Sequence, residues 1–135
     1  MSEERKRLPD TAVVDSSAVL ALLQNEAGSA TVSQVIYGAL ISAVNLTEVY
    51  SKMIEKGLPA PFSWEKIVSL QCDVCPYTGE QARIAAELIP MTKPFGLSLG
   101  DRACLALAID RKATVYTTDR AWKNLSLGIE IEVIR

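Results

Sequence analysis

Apolar residues along this chain fall into short continuous runs, separated by longer stretches with helical spacing. Runs at residues 12–15 and 39–44 read as short buried strands, and residues 72–77, 113–118 and 129–134 as three further strands. Between the first two, Val19, Leu20, Leu22 and Leu23 recur at helical intervals and predict a helix over 17–24. Further helices are expected over 29–37, closed near Gly38, over 46–56, stopped by Gly57 and Pro59, and over 62–70. Thr78-Gly79-Glu80-Gln81 has the form of a capping box and opens a helix over 78–89. Residues 91–96 are rich in turn formers and predict a loop. The run Ala103-Cys104-Leu105-Ala106-Leu107-Ala108-Ile109 is apolar nearly all round, so the helix expected over 98–111 is buried, with small alanines facing a sheet. Residues 120–125 predict a short turn or helix. Strands alternating with helices predict an α/β fold, a parallel sheet covered on both faces.

Four carboxylates stand where an apolar run or loop gives way to a helix-like run: Asp15, Glu48, Asp101 and Asp119. If the strands are parallel, such ends share one edge of the sheet, where α/β proteins build their sites. Acids drawn together repel. A pair about 4 Å apart costs roughly 4 kcal/mol at an effective dielectric of about 20. A divalent cation is the simplest partner for them. Each acid also has a simpler reading as a helix cap. Ser98-Leu99-Gly100-Asp101 and Asn45-Leu46-Thr47-Glu48 both have the capping-box form, and Asp15 and Asp119 can each cap the helical turn after it.

The whole chain narrows these readings. Its 135 residues suit one domain, and 49% hydrophobic content suits a packed core. Residues 1–10, charged from Glu3 to Arg7, read as a flexible terminus, leaving 11–135 as the domain. No apolar stretch follows that start and none is long enough to span a bilayer, so a cytoplasmic protein without a membrane partner is expected. Cys72, Cys75 and Cys104 form an odd set that fits a reducing compartment. The absence of histidine removes His-based zinc sites, Ser-His-Asp triads and imidazole-dependent ribonucleases. The net charge of −2 argues against a general nucleic-acid coat, yet setting the four acids aside leaves 14 basic against 12 acidic residues, a background that tolerates RNA. Oxygen ligands select hard cations such as Mg²⁺ and Mn²⁺, which generate a nucleophile from water without histidine.

Four stretches resemble the PIN-domain ribonucleases: Val13-Val14-Asp15-Ser16-Ser17-Ala18, Asn45-Leu46-Thr47-Glu48-Val49, Leu97-Ser98-Leu99-Gly100-Asp101-Arg102-Ala103-Cys104-Leu105-Ala106, and Tyr116-Thr117-Thr118-Asp119-Arg120-Ala121-Trp122. They follow the family's order from about Thr11 to Arg135, and the chain's size is most similar to VapC toxins of type II toxin–antitoxin pairs. The resemblance implies a three-layer sandwich with a mostly parallel five-stranded sheet, Mg²⁺ or Mn²⁺ dependence and endonucleolytic RNA cleavage. It also implies a cognate antitoxin and a homodimer. By position, Asp15, Glu48, Asp101 and Asp119 become the metal-binding and catalytic quartet. Ser17, Asn45 and Thr118 fall where the family orients acids or water. The family sometimes carries another acid just after the last one; Arg120 stands there, and with Arg102 it is a candidate for substrate phosphate.

Cys72-Asp73-Val74-Cys75 has the spacing of half a zinc or redox site, but no second pair exists. Trp64, Tyr37, Tyr50 and Phe62 read as core or interface. Met53, Ile54 and Leu58 read as a partner-binding face or as core. Rival functions are an aspartyl phosphatase at Asp15, disfavoured because Ser17 stands where a second acid is wanted, and a non-catalytic PIN-like domain that binds RNA or protein.

Overall fold

A computed structural model of the chain describes residues 11–135. The terminus expected over 1–10 lies outside the described residues. Five strands form one sheet, β1 (Ala12–Val14), β2 (Leu40–Ser42), β3 (Asp73–Cys75), β4 (Thr114–Thr117) and β5 (Ile131–Val133). All pairs are parallel in the order β3-β2-β1-β4-β5, with Val13 in register with Leu40 on one side and Val115 on the other. The chain winds outward from β1 through β2 to β3, then returns to place β4 on the other flank of β1. That reversal lies beside β1, and in parallel sheets the carboxyl ends of the strands at such a point are where ligands are held.

Among the described residues seven α-helices flank the sheet: α1 (Ser16–Leu23), α2 (Ser29–Val35), α3 (Ala43–Glu55), α4 (Ala60–Ser69), α5 (Gly79–Glu87), α6 (Ile89–Thr92) and α7 (Leu99–Arg111). Residues 103–108 of α7 are all fully buried, as its unbroken apolar run requires. α7 crosses β1, β2 and β4 and packs on α3 and α5. Two apolar clusters fill the layers. One gathers Leu105, Leu107, Val115 and Trp122, the other Val19, Val32, Val49 and Met53.

Several local expectations are corrected. The second strand stops at Ser42, so Val44 and Asn45 are already helical. The Ser42 hydroxyl accepts the Val44 N–H at 3.2 Å and caps α3, a service expected of Asn45. Residues 91–96 are not a loop. α6 and a 3₁₀ turn, Lys93–Phe95, occupy them, because Pro90 and Pro94 sit in first turns where no N–H is needed, and Gly96 at φ 73 ends the run. The Thr78 capping box is half formed. Thr78 Oγ1 accepts the Gln81 N–H at 3.1 Å, but the Gln81 side chain turns to Asp110 on α7 at 3.2 Å. Met53 is core, whereas Ile54 and Leu58 are 45% and 39% exposed. Tyr37 is no core residue at 79% exposure, and Phe62 and Trp64 are also exposed, with Trp64 stacked at a tilt on Tyr50 at 5.2 Å. All three cysteines are free; Cys75 is buried near Arg111 and Cys72 half-buried.

Candidate active site

Asp15 follows the central strand and caps α1. Its Oδ1 accepts the Ala18 N–H at 2.8 Å and the Ser17 hydroxyl at 2.7 Å, and its Oδ2 accepts the Thr117 hydroxyl at 2.6 Å. The side chain is 3% exposed. Burial pushes its pKa from 3.8 to about 6, overriding the three hydrogen bonds that pull it down, and the Asp101 charge adds to the rise. The bonds are present, yet they do not offset the cost of holding a charge there.

Both hydroxyls that serve Asp15 also act as acceptors. Ser17 Oγ takes the Thr118 N–H at 3.0 Å, and Thr117 Oγ1 takes the Asp119 N–H at 3.1 Å. Each hydroxyl spends its single proton on Asp15, so the 3.4 Å contact between Ser17 and Thr117 is a packing contact rather than a hydrogen bond. The network ties the end of β1 to the end of β4. Asp119 is exposed beyond β4, and its Oδ1 accepts the Ala121 N–H at 3.0 Å to cap the 3₁₀ turn Arg120–Asn124.

Asp101 sits at the third position of α7 in a complete capping box. Its Oδ2 accepts the Ser98 N–H at 2.9 Å, and its own N–H donates to Ser98 Oγ at 3.2 Å. Burial raises its pKa first, the Ser98 bonds oppose that, and the charges of Glu48 and Asp119 raise it further. Glu48 is not at a helix start, as expected from the sequence, but in the second turn of α3. Its Oε1 accepts Asn45 Nδ2 at 2.9 Å, and the same amide donates to the Gly100 carbonyl at 3.0 Å.

Asp15, Asp101, Glu48 and Asp119 thus share one electrostatic neighbourhood, in which Asp101 feels or is felt by each of the other three. Capping and clustering coexist, since three of the four acids also hold helix ends. None of them has an ion-pair partner among the described residues. Nor do three such side chains converge into a ready-made metal shell among those residues. Their ties explain the spread: Asp101 and Asp119 reach back to their own helix ends, and Asp15 is held by hydroxyls. The donors are nonetheless all oxygen, one of them deeply buried and uncompensated, which is what a hard cation needs.

The remaining candidates separate. Arg102 is half-buried, and its Nη1 donates to the Ala85 carbonyl in α5 at 3.0 Å. Arg120 is exposed beside Asp119, and Thr118 contributes its N–H to Ser17. Two residues escaped the sequence reading. Thr117, and not Thr118, bonds Asp15, and its signal was a polar side chain at an inward position of β4 two residues from Val115. Gly100 was the other, a glycine placed inside a helix against helical propensity.

A model of the PIN domain matches residues 12–127. No curated protein matches the chain in sequence. Among solved structures, a chain of the DNA-bound VapBC complex from Salmonella typhimurium is 17% identical with a TM-score of 0.71, covering 92% of this chain and 98% of its own. VapC20 from Mycobacterium tuberculosis, a sarcin–ricin loop cleaving toxin, is 15% identical with a TM-score of 0.69, covering 89% and 99%. A chain of a toxin–antitoxin complex from Klebsiella pneumoniae is 15% identical with a TM-score of 0.68, covering 90% and 100%.

Proposed function

This chain belongs to the PIN-domain family, and from that premise we propose that it is a metal-dependent endoribonuclease acting as the toxin of a toxin–antitoxin pair. The observation that carries the proposal is the buried carboxylate of Asp15 within a group of acids that has no ion-pair partner among the described residues. Asp15, Glu48, Asp101 and Asp119 would hold Mg²⁺ or Mn²⁺. When bound, such an ion acidifies water and offsets charge on the scissile phosphate. The chain's own residues do the rest. Ser17 and Thr117 keep both Asp15 oxygens aimed, Ser98 holds Asp101, and Asn45 holds Glu48. Arg120, exposed next to Asp119, would meet a substrate phosphate.

The Klebsiella pneumoniae structural relative is described as a toxin–antitoxin complex. By extension, a cognate antitoxin covers this site, and an arginine offered to the acids would displace the metal. A homodimer in the cytoplasm completes the reading. The test is incubation of the purified, partner-free protein with total RNA, with and without Mn²⁺, followed by mapping of cut ends. Discrete Mn²⁺-dependent cuts, lost in Asp15→Asn and Asp101→Asn, are expected. Intact RNA under every metal condition overturns the proposal. The spread of the acids among the described residues favours one other reading, a non-catalytic domain that binds RNA or protein, and the same assay with a gel-shift arm separates the two.

A further inference from the structure

We infer that Gly100 is a positioning residue for Glu48: the side chain it lacks leaves the slot in which the Glu48 carboxylate lies against the first turn of α7. The inference rests on reading the four acids as a metal centre and assigns a residue that this reading does not require in advance.

Glu48 leaves the second turn of α3, and Gly100 is the second residue of α7, the helix packed on it. A Cβ built on Gly100 would lie 2.6 Å from Glu48 Cδ and 2.8 Å from Oε1, with Oε2 closer still. Non-bonded carbons rest about 3.5–4.0 Å apart, so any other residue at this position evicts the carboxylate. The backbone gives no competing reason for glycine. Gly100 is not among the positive-φ glycines, so its backbone conformation does not call for glycine. What the glycine supplies is space.

Asn45 supplies the tether. Its Nδ2 donates to Glu48 Oε1 at 2.9 Å and to the Gly100 carbonyl at 3.0 Å, tying the acid to the slot's own backbone. Both partners are acceptors, which fixes the amide's orientation, since the flipped form would set oxygen against oxygen. Asn45 is 1% exposed, and its Oδ1 finds no donor among the described residues. An apolar side chain would fill that space without burying an unpaired acceptor. The amide is therefore accounted for by what it holds, not by packing. Because Asp101 follows Gly100 directly and senses the Glu48 charge, the slot sets the separation of those two acids.

Four variants test this: Gly100→Ala, Asn45→Ala, Glu48→Ala and the double variant Gly100→Ala/Glu48→Ala. Only the flexible tip of Glu48 obstructs the new methyl, so Gly100→Ala should keep its fold, checked by thermal melting in chelator. In metal-free protein, Gly100→Ala should shift the Asn45 side-chain amide resonances in the direction that Glu48→Ala does. In calorimetric titration with Mn²⁺, Gly100→Ala and Asn45→Ala should each weaken binding about ten-fold or more, the usual scale for losing a ligand's support. In the Glu48→Ala background, Gly100→Ala should cost nothing further, because the group it seats is gone. Wild-type Mn²⁺ affinity in Gly100→Ala, or an equal loss with and without Glu48, overturns the inference while leaving the metal centre standing. Failure of the metal-centre reading looks different: the wild-type protein itself then binds no Mn²⁺, and Gly100 loses its proposed role with it.

Discussion

Replacing Asp15 by Asn should stabilise the metal-free protein at neutral pH. The carboxylate is 3% exposed, and burial moves its pKa from 3.8 to about 6. That interval is worth roughly 3 kcal/mol against the charged form. The sign comes from proton binding. The folded protein holds this proton more tightly than the unfolded chain, so stability is greatest where both forms are protonated, below about pH 4. It then falls as pH rises through the interval, and the whole cost stands above about pH 7. Asn is neutral throughout and caps helices as well as Asp does. Its oxygen can keep the Ala18 and Ser17 bonds, while its amide must face the Thr117 oxygen and reverse that bond, at a cost of about 1 kcal/mol. The net gain at pH 7.5 is therefore about 2 kcal/mol, or roughly 6 °C in Tm for a domain of this size. At pH 4 the gain disappears and the reversed bond leaves a small loss. Urea denaturation in chelator at pH 4, 5.5 and 7.5, followed by circular dichroism, measures the difference, and subtracting wild type cancels the other acids. A difference that does not change with pH, or a loss at pH 7.5, refutes the argument that burial outweighs the cap.

Other consequences of the site are equally direct. Mn²⁺ should raise the Tm of the wild-type protein by mass action and raise that of Asp15→Asn and Asp101→Asn less; an equal rise in all three counts against a carboxylate metal site. Thr117→Val removes the bond that lowers the Asp15 pKa, so it should move the Asp15 titration upward and destabilise the fold by about 1–3 kcal/mol. An unmoved midpoint in a carbon-detected NMR titration would show that Thr117 does not serve Asp15. Cys104 is fully buried, and burial holds its thiol well above the ordinary range, so iodoacetamide at pH 8 should label it no faster than the protein unfolds; rapid labelling of native protein contradicts that packing.

The central strands β1 and β2 were legible because buried parallel strands leave continuous apolar runs, and α7 because only a helix wrapped in protein can be apolar all round. Asp15, Asp101 and Asp119 were legible as helix caps for a local reason: capping is written within three residues. Glu48 was misplaced because Asn45 and Ser42 are both good caps, and only the structure shows which hydroxyl or amide captures a free N–H. Residues 91–96 misled because prolines mark both turns and first helical turns. Gly100 and Thr117 stayed hidden for another reason. Their partners, Glu48 and Asp15, lie 52 and 102 residues away in sequence, and no local pattern records a contact at that range.

That span has a further meaning for how the protein comes into being. β1 leaves the ribosome well before β4, the strand that completes its flank. Until Thr114–Thr117 is released and docked, Asp15 has neither its Thr117 bond nor Asp119 as a neighbour. A nascent chain carries the acids as strangers, scattered over most of its length. Pairing over such distances is the slow part of folding, because the loop must close before any contact rewards it. The acids therefore assemble only once β4 has emerged and docked, and a truncated product that lacks β4 carries Asp15, Glu48 and Asp101 without the strand that brings Asp119 to them.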